Sequence, residues 1–158
     1  MARMLTGRSL VALLLLGATP LLAQGRPIRV ESAKPLAFGQ ILAGAPVVVL
    51  RTDPVRAGQI NLAAQPQSQI ILQLTLPASM TGPLGATLPI VFGANDAGFS
   101  SLGSIGSQVA FDPRNSTVVI TNSQNGRGSV YVGGTAQPAF NQAPGTYTGV
   151  ITLTVTYP

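Results

Sequence analysis

The side chains that could run acid–base chemistry in this chain are few: Glu31, Asp53, Asp96, Asp112 and one lysine, Lys34. There is no histidine, so the commonest general base and the commonest metal ligand are both missing. A Ser-His-Asp constellation cannot be built. Without cysteine there is neither a thiol nucleophile nor a thiolate metal site. Two of the four carboxylates could in principle pair as the acid and nucleophile of a glycosidase. Asp53 and Asp112, however, each precede a proline in a turn-like setting, where Asp is expected to hydrogen-bond its own backbone. Glu31 lies close to Arg29 near the start of the mature chain and reads as an exposed strand residue. Asp96 could offer oxygens to calcium, but one acid falls far short of the acid-rich loops that bind it. Lys34 precedes Pro35 in a polar stretch and reads as exposed, not as the buried amine of a Ser–Lys dyad. The glycines match no phosphate-cradling spacing followed by a helix. The expectation is a protein without catalysis, metal or cofactor.

Charge excludes a second class. Charged residues make up 8% of the chain. Setting aside Arg3 and Arg8 leaves 9 − 2 = 7 basic residues against 4 acidic. The basic residues are scattered, without an aromatic stripe, so a nucleic-acid partner is not expected.

Arg3 and Arg8 precede the apolar run Leu10–Leu16, and Pro20 breaks it before a cleavage point after Ala23. This is the layout of a secretory signal peptide over residues 1–23. The run is too short for a membrane-spanning helix. Residues 24–158 then form one domain, exported to the periplasm, cell surface or medium of a bacterium. Having no cysteine, that domain must rely on packing and hydrogen bonds instead of disulfides.

Helix signals are nearly absent from it, and Gly and Pro recur every few residues. Strands are expected at about 28–32, 36–43, 46–51, 58–63, 69–76, 88–92, 107–111, 117–122, 128–133 and 146–157. In the segment 71–77, Leu72, Leu74 and Leu76 share a face opposite Gln73 and Thr75. The succession Thr117–Thr121 suits a strand covered on both sides, and Asn125-Gly126 suggests a hairpin from it into 129–132. Residues 93–106 read as a long loop pinned by Phe99, Leu102 and Ile105. Short strands with regular turns predict an all-β fold, an antiparallel immunoglobulin-like β-sandwich.

The last strand is the best specified. From residue 147 one parity reads Tyr147, Gly149, Ile151, Leu153, Val155, Tyr157, and the other is mostly threonine. Period two sends the first set to a core and the second to water.

Three segments together resemble a family of small exported bacterial domains, DUF4402. They are Leu36-Ala-Phe-Gly-Gln-Ile-Leu-Ala-Gly44, Val130-Tyr-Val-Gly-Gly-Thr135 and the closing Gly145-Thr-Tyr-Thr-Gly followed by the alternating run to Tyr157. The closing segment is also similar to the end of pilin and spore-coat-U-type subunits, which a periplasmic chaperone and an outer-membrane usher assemble. That resemblance implies a structural subunit built by strand addition. Tyr147, Ile151, Leu153, Val155 and Tyr157 would be its pairing residues, and the partners would be a chaperone, an usher and like subunits. The chain departs from the pilin pattern at its start. Gln24 to Lys34 offers only Ile28 and Val30 on one parity before Ser32 and Lys34, which makes a poor donor strand. The alternative is a self-contained periplasmic or extracellular module binding a glycan or a protein. The lack of tryptophan speaks against an aromatic sugar platform.

Overall fold

A computed structural model describes residues 25–158; the expected signal peptide lies outside them. Among these residues the strands are β1 (Arg29–Lys34), β2 (Val47–Val49), β3 (Gly58–Ala63), β4 (Gln69–Thr75), β5 (Ser79–Thr81), β6 (Thr87–Val91), β7 (Ala97–Ser100), β8 (Val109–Phe111), β9 (Thr117–Ile120), β10 (Arg127–Val132), β11 (Gly134–Ala136) and β12 (Thr152–Thr156). The only other regular elements among the described residues are single 3-10 turns at Pro83–Gly85 and Ile105–Ser107. The fold is all-β and its paired strands run antiparallel.

The strands form sheets in the orders β1-β3-β10-β7-β8, β2-β11-β6-β5 and β12-β4-β9. All three contribute to one core, which includes Leu62, Ile70, Leu72, Ile90, Val130 and Val132. The alternation of β4 explains its place. Ile70, Leu72 and Leu74 are buried while Gln69, Gln73 and Thr75 are exposed, as period-two packing against a single core requires. β10 is different. It lies between β3 and β7 and is buried from Gly128 to Val132. Its outer face is covered because the chain after β7 folds back over it, where the Tyr131 hydroxyl donates to the Gly103 carbonyl at 2.8 Å.

β10 and β11 are almost one strand, interrupted at Gly133. A Cβ there would stand 2.3 Å from the Val49 carbonyl oxygen and 2.6 Å from the Arg51 nitrogen. The glycine pair is thus a tight backbone crossing, and it passes one strand from the five-stranded into the four-stranded sheet.

Several strand expectations need correction. Residues 36–43 form no strand; Gly39 and Gly44 sit at φ of 72° and 74° and turn the chain. β9 is not covered on both sides. It is an edge strand, with Val118 and Ile120 59% and 55% exposed. Asn125-Gly126 does not close a hairpin, because β9 pairs with β4 and β10 with β3 and β7. The turn instead carries the chain between sheets, and Gly126 packs with φ 71° against the Ala64 carbonyl. The expected loop 93–106 contains strand β7. Of its three anchors Phe99 is buried and Ile105 half-buried, while Leu102 is 72% exposed.

Candidate functional site

The last strand is shorter than its alternation suggests. It pairs with β4 in the register Thr152↔Thr75 to Thr156↔Ile71. Residues 145–151 instead cross toward β5, where Thr81 and Thr148 exchange backbone hydrogen bonds of 2.7 and 2.9 Å. Within β12 the parity holds: Leu153 and Val155 are half-buried against the core, and Thr152, Thr154 and Thr156 are exposed.

Half-burial is the informative part. Ile70 and Leu72 on the neighbouring β4 are fully shielded, yet Ile151, Leu153 and Val155 are not. β12 is an edge strand of its sheet, and β1 is an edge strand of the five-stranded sheet. Both edges lie on the same open side of the molecule. At one end they are fastened: the Tyr157 hydroxyl donates to the Arg26 carbonyl at 2.7 Å and accepts from the Gln65 amide at 2.9 Å. At the other end they part. A groove of about 370 Å³ opens there between Ser32–Leu36 and Thr148–Ile151. Its floor is core: Phe38, Met80, Ile90 and Val132 all reach it.

A second groove of about 680 Å³ continues along residues 36–43 and 142–147. Leu36, Phe38, Met80 and Tyr147 line both, so the two form one trough with Tyr147 as its divider. The Tyr147 ring lies against Gly82, where a Cβ would approach it to 2.4 Å. Its hydroxyl donates to the Ala143 carbonyl and accepts from the Gln142 amide. One lip of the trough, residues 36–43, is backbone with no strand partner among the described residues. The other is the segment 142–151 that leads into β12.

The structure therefore brings Tyr147 and Ile151 to the trough and puts Leu153 and Val155 on the apolar face of the adjoining strand. Tyr157 stands apart, as the fastening at the far end. The trough's floor was not foreseen as a site. Phe38 and Val132 lie inside the quoted family-like segments, but Met80 and Ile90 carry no sequence signal beyond being apolar.

The polar candidates are dispersed. The Asp53 carboxylate accepts from the Arg56 and Val55 amides and pairs with the Arg56 guanidinium at 2.9 Å. Those bonds, the Arg56 amide first, hold its carboxyl below the usual range. Asp112 accepts from the Arg114 side chain and amide, which lower its pKa to about 2. Asp96 accepts from the Gly93 amide. Each acid thus serves its own turn. Lys34 is half-buried, not exposed as expected, because its ammonium reaches the Pro54 carbonyl at 2.8 Å. Glu31 is exposed. The trough offers an open apolar floor; among the described residues the carboxylates are held by their own turns and do not pair with one another. No helix among the described residues is long and apolar enough to cross a membrane.

No curated protein matches this chain. The sequence profile of the family described as a domain of unknown function, DUF4402, matches residues 28–157, which include every strand and both lips of the trough, and the chain belongs to that family.

Proposed function

We propose that this protein is an exported, non-catalytic structural subunit, pilus-like or coat-like, that assembles by accepting a strand into its trough. In this reading the fold is an immunoglobulin-like sandwich with one edge left open. The carrying observation is the pairing of two unsatisfied features. The apolar face of β12 is only half-buried, and the trough beside it has a floor of core side chains. An incoming strand would run along β12 and on past residues 149–151, where its alternate apolar side chains would meet Phe38, Met80, Ile90 and Val132.

The partners are a periplasmic chaperone, which would hold the trough closed during export, then an usher and like subunits. This chain is a better acceptor than donor, because the inward parity of β1 turns polar at Ser32 and a register shift follows before Lys34. Its place is the end of a fibre, or a fibre whose donor strand comes from a different subunit.

The test is mass-resolved chromatography after periplasmic expression, with and without an operon-encoded chaperone. The reading expects a chaperone-bound 1:1 species and poor recovery without it. It further expects Ile151→Lys, which puts a charge at the groove, to abolish the complex. A monomer recovered equally well under both conditions, and indifferent to the substitution, would remove the reading.

A further inference from the structure

Away from the trough, the outer face of the five-stranded sheet gathers arginines that are far apart in sequence. Arg29 on β1 and Arg127 on β10 both pair in register with Ala63 of β3, one from each side. Residues directly opposite in a sheet point to the same face. Adjacent strands lie about 4.8 Å apart, so the two arginines flank Ala63 with Cα atoms roughly 10 Å apart. The opposite parity, Val30–Leu62–Gly128, faces the core, where Leu62 is buried. A small side chain between two long cationic ones leaves a cleft that both guanidinium forks can close over.

Neither Arg29 nor Arg127 makes a side-chain hydrogen bond or ion pair among the described residues, and both are exposed. Arg26 joins them at the same end, its guanidinium donating to the Asn125 carbonyl at 3.2 Å. Asn61, the next outward residue on β3, accepts through Oδ1 from both Gln59 and Ser129, and its Nδ2 amide has no partner among the described residues. The acid nearest in register is Glu31, opposite Asn61; it forms no ion pair among the described residues. Asp53 and Asp112 are paired elsewhere, with Arg56 and Arg114. Three guanidiniums against one carboxylate repel each other unless an anion sits between them.

The geometry points to a binding site for an oxyanion-bearing polysaccharide, its carboxylate or sulfate held between Arg29 and Arg127 over Ala63. Arginine forks match such planar or tetrahedral oxyanions bidentately, and the Asn61 amide beside them suits a sugar hydroxyl. The face lacks the features of two rival polyanions. Its tyrosine, Tyr131, is 2% exposed, so the sheet face itself presents no ring to stack a nucleobase. The residues around the cleft are polar or small, so nothing inserts into a lipid bilayer. This site is independent of the trough and of strand addition.

The experiment is affinity electrophoresis of the protein expressed from its full chain. The gels carry polygalacturonate, dextran sulfate, neutral dextran or single-stranded DNA. The wild type should be retarded by the first or second, whichever oxyanion fits, and not by neutral dextran. Arg29→Ser with Arg127→Ser should weaken that binding about tenfold. Arg56→Ser with Arg114→Ser removes the same net charge from paired sites and should leave it within about twofold. Glu31→Gln should tighten it, an outcome that a misfolded variant cannot produce. Equal weakening by the two double variants would reduce the site to diffuse charge attraction and overturn the proposal, as would tighter binding of DNA than of either acidic polysaccharide.

Discussion

The Tyr157 hydroxyl donates to the carbonyl of Arg26 at 2.7 Å, across 131 residues of sequence. It accepts from the Gln65 amide as well, so one phenol ties the described start of the chain, the β3–β4 turn and the end of β12. Tyr157→Phe keeps the ring and removes both bonds. The expected loss is about 1–2 kcal/mol in a urea melt, with faster amide exchange confined to residues 26–30.

The strand crossing at Gly133 allows no side chain. Gly133→Ala would drive a Cβ into the backbone of Val49 and Arg51, which cannot move without breaking the β2–β11 pairing. A loss of about 3 kcal/mol is expected. Gly128→Ala meets the Phe99 ring instead, which can shift, so its loss should be smaller. Denaturant midpoints of the two variants give the order directly.

Asp112 supplies a pH dependence with a definite sign. Its carboxyl is held at about 2 by Arg114, against 3.8 for the free side chain. A lowered folded-state pKa means that the stabilising charge is fully present above about pH 4 and is lost as pH falls toward 2. Carboxyl-carbon NMR should show Asp112 titrating near 2, and Asp112→Asn should remove that part of the acid dependence of the melting temperature.

The two sides of the β4–β12 pair should respond unequally to truncation. Leu72 is fully buried, so Leu72→Ala should cost about 2–5 kcal/mol. Leu153 is half-buried beside the open edge, so Leu153→Ala should cost only about 1 kcal/mol in the isolated domain. That cost should rise once a strand covers the edge. Urea melts of both variants, alone and with a bound apolar peptide, measure the difference.

What was legible in the sequence was local. The alternation of β4 and the core parity of β12 were readable because period two needs only neighbouring residues. The turn roles of Asp53 and Asp112 were readable for the same reason. What was not legible depended on pairing across the chain. β9 looked like an interior strand because Val118, Val119 and Ile120 are successively apolar, and only its position at a sheet edge exposes Val118 and Ile120. Residues 36–43 have strand composition but no strand partner among the described residues. The trough has no motif, since Phe38, Met80, Ile90 and Val132 become its floor only when three sheets meet. The arginine cleft depends on the common register of β1 and β10 with Ala63.

The trough proposed to accept a strand lies between residues 36–43 and the segment that leads into β12. The most direct measurement is the melting temperature of residues 24–158 with and without a peptide of alternating apolar residues, and with a scrambled peptide of equal composition. Strand acceptance predicts a broad, low transition that the alternating peptide sharpens and raises by about 10 °C or more at saturation, with no effect of the scrambled one. A cooperative transition that is high without peptide and unmoved by it would mean that the sandwich is already complete, and would contradict the account.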